Sequence, residues 1–197
     1  MPHTHVYASL LSGIIVSTLA VEAGWSQETY SFVDDQTEIK LSGSTNIQSW
    51  DAETKIGETD IILQEFTDTS LDFERFYFTI PVEAIDSGNS RETSSIHEYL
   101  RKEDHPEISY ELSEIKSFEE NNSQYVVEAA GDLSVAGVTQ NIVLSATMQK
   151  TSDSTFRIIG EYEMKMTDFD IDPPTAFLGA VRARDELKVN YEVTLTR

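Results

Sequence analysis

Residues 126–148 read VVEAAGDLSVAGVTQNIVLSATM, and this stretch decides the fold. Val127, Ala129, Gly131, Leu133 and Val135 fall on one side of an extended chain, with Val126, Glu128, Asp132 and Ser134 on the other. Ala136-Gly137 is a turn, after which Ile142, Leu144, Ala146 and Met148 resume the same period. A repeat of two marks a strand with one buried face, and two such runs joined by a short turn mark an antiparallel pair. Upstream, FERFYFTIPV places Phe76, Phe78, Ile80 and Val82 on one face. Thr37 to Ile47 and Lys55 to Phe66 are strand-like mixtures dense in Ile, Leu and Thr, and Asn121-Asn122-Ser123 is a hairpin turn. Downstream, Thr151 to Ser154 turns the chain into Phe156 to Met166, where Phe156, Ile158, Tyr162, Met164 and Met166 share parity. A last strand carries Leu187, Val189, Tyr191, Val193 and Leu195 on one face.

Only one segment breaks the pattern. Glu92 to Lys102 has Ile96, Tyr99 and Leu100 at helical spacing, after the turn cluster Asp86-Ser87-Gly88-Asn89. Ser95-Ile96-His97-Glu98 has the form of a capping box, and His105-Pro106 leads into a strand from Ile108 to Leu112. About eight strands at hairpin spacing with one short helix predict an all-β fold. The expected architecture is an eight-stranded antiparallel barrel whose interior either packs solid or holds one small ligand. Neither repeat nor linker divides the chain, so one domain is expected.

Charge narrows the functions. The chain has 197 residues, with 14 Lys plus Arg against 35 Asp plus Glu and a formal net charge of -21. Nucleic acid needs clustered cations, so it is excluded as a partner, and an anionic membrane surface is disfavoured. With no Cys there is no thiolate nucleophile and no Cys-ligated zinc. Residues 6–21, VYASLLSGIIVSTLAV, suit the apolar core of a signal peptide, and small residues around Val21-Glu22-Ala23 suit cleavage. Residues 1–23 are therefore expected to be a leader, giving a bacterial periplasmic or secreted protein. The mature chain has no second run able to span a bilayer.

Catalytic constellations are missing. There is no G-x-S-x-G elbow, and His97-Glu98-Tyr99-Leu100-Arg101 lacks the second His of a zinc-protease helix. Asp168-Phe169-Asp170-Ile171-Asp172 opens like a calcium loop, but Pro173 stands where Gly is needed and Gly179 where the bidentate Glu is needed. No catalytic residue, metal ligand or cofactor is expected.

Four segments together resemble a known family. They are Gly43-Ser44-Thr45-Asn46-Ile47-Gln48-Ser49-Trp50, Ile80-Pro81-Val82-Glu83-Ala84-Ile85-Asp86-Ser87-Gly88, His105-Pro106-Glu107-Ile108-Ser109-Tyr110 and Gly131-Asp132-Leu133-Ser134-Val135-Ala136-Gly137-Val138-Thr139. In this order they are similar to the YceI-like family of exported lipid-binding proteins. The resemblance covers the mature chain, with the domain at 30–197. Met166 to Ala176, with its Asp172-Pro173-Pro174 loop, is similar to one subgroup; Gln48 stands where that subgroup commonly has His, and Asp170 where Gly is usual.

The resemblance implies an extended lipocalin-like barrel holding a polyisoprenoid-like lipid in its lumen, without catalysis. Periodicity alone fits a filled barrel more simply, because alternating apolar residues are needed in either case; the resemblance turns the reading to a ligand. The lumen candidates are then Phe76, Phe78, Ile80, Val82, Ile108, Tyr110, Val127, Leu133, Val135, Ile142, Leu144 and Met148, with Phe177 and Leu178 folding over the mouth. Trp50 plugs one end or stacks on the ligand. An apolar lipid is the expected partner, and a homodimer is left open. The alternatives are a secreted acid-dependent hydrolase and a stress-related structural protein with a filled barrel.

Overall fold

The computed structural model describes residues 28–197, apart from the side chain of Phe177. The expected leader at 1–23 lies outside the described residues. The strands are β1 Glu28–Phe32, β2 Glu38–Ser44, β3 Ser49–Thr54, β4 Thr59–Phe66, β5 Leu71–Pro81, β6 Glu107–Asn121, β7 Gln124–Val135, β8 Val138–Ser152, β9 Thr155–Lys165, β10 Thr175–Ala176, β11 Val181–Arg182 and β12 Glu186–Thr196. The helix α1 spans Ser90–Tyr99.

Eight strands close into an antiparallel barrel in the order β1-β4-β5-β6-β7-β8-β9-β12. Closure comes from Ser31 opposite Thr196 and Phe32 opposite Leu195. The β2–β3 hairpin extends from the same edge of β12, with β2 pairing Lys188 to Glu192. Strands β10 and β11 form a separate small hairpin. No helix among the described residues is long and apolar enough to cross a membrane.

Local chemistry explains the turns. Asn122 and Ser123 have φ of 52° and 64°, and Ala136 and Gly137 have φ of 50° and 86°. Left-handed residues at both central positions match the right-handed twist of the flanking strands. Before the first of these turns, β6 is much longer than the expected Ile108 to Leu112. Register shifts after Leu112 and after Ile115 break its alternation, and that is why the sequence concealed it.

Two readings are corrected. The helix starts at Ser90, and its cap is Asn89, whose side chain accepts from the backbone N–H of Arg91 at 3.0 Å and of Glu92 at 3.3 Å. Ser95 instead sits inside the helix and donates to the Arg91 carbonyl, an ordinary fate for a mid-helix serine. Val82, expected on the inward face of β5, follows the strand in a short 3-10 turn, Val82–Ala84, because Pro81 ends the ladder.

Candidate functional site

Alternation and register define the inward face. Tyr110 lies opposite Leu133, Gly131 opposite Ile142, Ala129 opposite Leu144 and Gly160 opposite Tyr191, so these side chains share the barrel interior. The interior is not one continuous core, as a filled single domain would be. Instead it divides into two apolar clusters.

One cluster lies toward the β6–β7 turn. Tyr30, Ile61, Leu63, Leu71, Tyr125, Val127, Met148, Phe156 and Leu195 are buried there, with Phe66, Phe76 and Phe118 against them. Phe118 stacks on Tyr125 at 4.8 Å between ring centroids, and Phe66 meets Phe156 at 4.9 Å. The Tyr125 hydroxyl donates to Asp68 at 3.2 Å. The second cluster lies toward the β7–β8 turn and holds Val135, Ala136, Met166, Phe169 and Ile171, with Trp50, Ile108, Leu133 and Leu187 packed on it. Trp50 therefore belongs to the material that closes this end.

Between the clusters runs a belt from Phe78 through Tyr110, Leu112, Leu144 and Tyr162 to Val189 and Tyr191. Except for Tyr110, these inward residues are only half-buried. Phe78 meets Tyr110 at 5.6 Å and Phe32 at 5.8 Å. Burial pushes the Tyr191 phenol up to about 12 and holds that of Tyr110 well above its usual value, where the nearby Tyr191 and Asp132 add to the effect. Tyr162 is also raised, first by burial and then by Asp168. Phenols in this belt are thus neutral donors.

The sequence candidates divide across these layers. Val127 and Met148 belong to the first cluster, with Phe76 against it; Val135 belongs to the second, with Ile108 and Leu133 against it. Phe78, Tyr110, Ile142 and Leu144 lie between, while Ile80 pairs with Ile108 toward the second end. Val82 is buried but off the strand. Tyr162, Tyr191, Gly131 and Gly160 join these candidates on the inward face, and the alternation of β9 and β12 already places both tyrosines there.

The expected lid fails at Leu178. This residue is fully exposed, at 109%, with φ of 58° at the tip of the β10–β11 hairpin. The hairpin is held away by its base. Asn46 accepts from the Arg182 N–H at 2.9 Å and donates to the Ala180 carbonyl at 3.0 Å, and Arg182 Nε donates to the Gly179 carbonyl. The Phe177 side chain lies outside the described part of the structure.

The acidic run does not converge either. Asp168 accepts from the Lys165 backbone N–H, Asp170 is left-handed with φ of 53°, and Asp172 is exposed. Among the described residues no group of three metal-binding side chains comes together. The displaced carboxylates, Asp51, Asp86 and Asp185, all lie below their ordinary value because they accept hydrogen bonds. A hydrolytic acid would be raised instead. His97 Nε2 lies 2.9 Å from the Ile85 carbonyl, and the His105 ring covers Gly137. Both imidazoles therefore have structural contacts.

The sequence matches the family described as YceI-like domain over residues 27–195. No curated protein matches it significantly. Among solved structures, BcnA of Burkholderia cenocepacia is similar, with 14% identity, 83% of this chain and 99% of that one covered, and a TM-score of 0.66. A polyisoprenoid binding domain from Saccharophagus degradans shares 11% identity over 85% of this chain and 97% of that one, with a TM-score of 0.63. The YCEI protein of Campylobacter jejuni shares 16% identity over 99% and 94%, with a TM-score of 0.55. At these identities the likeness is one of fold.

Proposed function

The chain belongs to the YceI-like domain family, and on that premise we propose that it is an exported, non-catalytic protein that encloses a long apolar lipid of the polyisoprenoid type. One observation carries this reading: a half-buried inward belt separates two closed apolar ends. A filled barrel would bury that belt. The Saccharophagus degradans neighbour, described as a polyisoprenoid binding domain, supports the ligand class.

The energetics are adequate. Each buried methylene contributes roughly 0.8 kcal/mol, so a chain of about twenty carbons gains about 16 kcal/mol. Losing free translation and rotation costs about 4–15 kcal/mol. The lumen residues are then Phe76, Phe78, Ile80, Ile108, Tyr110, Leu133, Ile142 and Leu144, with Val127, Val135 and Met148 bounding the two ends. Carriage or storage in the periplasm or outside the cell follows from the expected leader.

Native mass spectrometry of protein recovered from its own compartment, followed by solvent extraction, tests the proposal. The expected result is a mass above that of the mature polypeptide and an isoprenoid-type lipid in the extract. A bare mass, with added isoprenoids neither binding nor raising the melting temperature, would overturn it.

A further inference from the structure

We propose that Tyr110 is a fixed hydrogen-bond donor inside the barrel, and that the molecule held there carries a neutral oxygen acceptor, such as a ketone, ester or ether, at its level. The inference rests on the binding reading above. It narrows the ligand from any hydrocarbon to an apolar chain with one buried oxygen.

The argument comes from two tyrosines built alike. Tyr110 on β6 lies over Gly131 of β7: a Cβ at Gly131 would sit 2.5 Å from the phenol Cζ and 2.6 Å from Oη. Tyr191 on β12 lies over Gly160 of β9, where a Cβ would sit close to the same two atoms. Four steps around an eight-stranded ring separate β6 from β12, so the two phenols project from opposite walls. Each glycine lets a ring cross its neighbouring strand toward β8. Tyr191 completes the arrangement by donating to the Ser145 carbonyl of β8 at 3.2 Å.

Tyr110 does not. Its residue is 3% exposed, and its hydroxyl oxygen is closed to solvent and has no hydrogen-bond partner, so an acceptor reaches it only as half-buried neighbours such as Phe78 and Leu112 part. Buried hydroxyls are almost always paired, because an unpaired one loses its hydration without replacement. Phenylalanine at this position would keep the contacts with Phe78 and Gly131 and avoid that loss. Register sets Phe78 and Leu133 beside Tyr110 and Leu112 and Ile142 beside Gly131, while Tyr191 and the acidic Asp132 are near enough to act on the phenol; none of these is a cation that could hold a phosphate. A neutral acceptor is what this donor can take.

The test uses the full chain stripped of lipid, the variant Tyr110→Phe, and two probes: a branched isoprenoid ketone and the hydrocarbon of the same skeleton. Tyr110→Phe should weaken ketone binding about fivefold, the size of one neutral hydrogen bond, and leave hydrocarbon binding unchanged. Tyr191→Phe, whose hydroxyl is already used by Ser145, should not discriminate between the probes. In the unmutated protein the carbonyl stretch of the bound ketone should fall below its value in hydrocarbon solvent. A ketone affinity unchanged in Tyr110→Phe, or a carbonyl stretch equal to that in hydrocarbon solvent, would overturn the inference. Failure of the unmutated protein to bind either probe would instead overturn the binding function, and this inference with it.

Discussion

Gly43→Ala asks whether the end closed by Trp50 is built by close contact. A Cβ on Gly43 would sit 2.3 Å from Trp50 Cζ2 and 2.5 Å from Cε2, well inside the separation of about 3.5–4.0 Å at which carbon atoms attract. The three nearest atoms all belong to the indole, so the ring must move. An aromatic side chain buries about 150–250 Å². Losing roughly half of that at ~25 cal/mol per Å² costs about 2–3 kcal/mol. Because Gly43 lies outside the left-handed region, alanine fits the backbone and returns about 0.5–1 kcal/mol through the unfolded chain. The net loss is about 1–2.5 kcal/mol, or a melting temperature lower by about 2–10 °C for a domain of this size. With Trp25→Phe as background, Trp50 is the single tryptophan. Its emission should shift to the red in Gly43→Ala, and thermal unfolding can be followed on the same signal. In a Trp50→Leu background, read by circular dichroism, the alanine should be neutral or stabilising. An equal loss in both backgrounds would refute the ring-over-glycine argument.

Two further outcomes follow from the structure. The Asp185 carboxylate accepts from Thr167 Oγ1 at 2.7 Å and from the Thr167 N–H at 2.9 Å, which holds its pKa below the ordinary 3.8. Its contribution to stability is therefore complete above the unfolded value and lost as pH falls through the lower folded one. Urea midpoints measured from neutral pH to about pH 2 should fall more steeply for the unmutated protein than for Asp185→Asn, and parallel curves would contradict this. Leu178→Asn, at an exposed left-handed position, should be neutral or stabilising by up to about 1 kcal/mol in chemical denaturation, since Asn tolerates that conformation. It should also leave lipid retention unchanged; release of lipid would restore Leu178 as a lid.

The legible parts of the fold were those where one face meets the core without interruption. Strands β7 and β8 pair from Tyr125–Met148 to Val135–Val138 without a register shift, so a period of two ran through both. Most of β6 was hidden because its bulges move the inward position off parity, from Leu112 to Ile115 and then to Phe118. Strand β3, SWDAET, presents only Trp50, Ala52 and Thr54 inward, too little apolar surface to read as a strand. The helix offered two cap signatures, and the sequence could not rank Asn89 against Ser95. The apolar Leu178 suggested a lid because a loop residue's burial depends on what its neighbours tie down, here Asn46 far away in the chain.

The sequence by itself determined the all-β class, the single short helix, the strongly acidic surface and the inward parity of most core residues. Each of these follows from local periodicity, turn chemistry or composition, which act over a few residues or over the whole chain at once. Only the tertiary structure decided that β12 closes on β1, that the interior divides into two clusters, and that Tyr191 finds Ser145 while Tyr110 finds nothing. Those outcomes depend on barrel curvature and on which strand ends up opposite which, and pairings between Phe32 and Leu195 leave no trace in the short-range pattern of either segment.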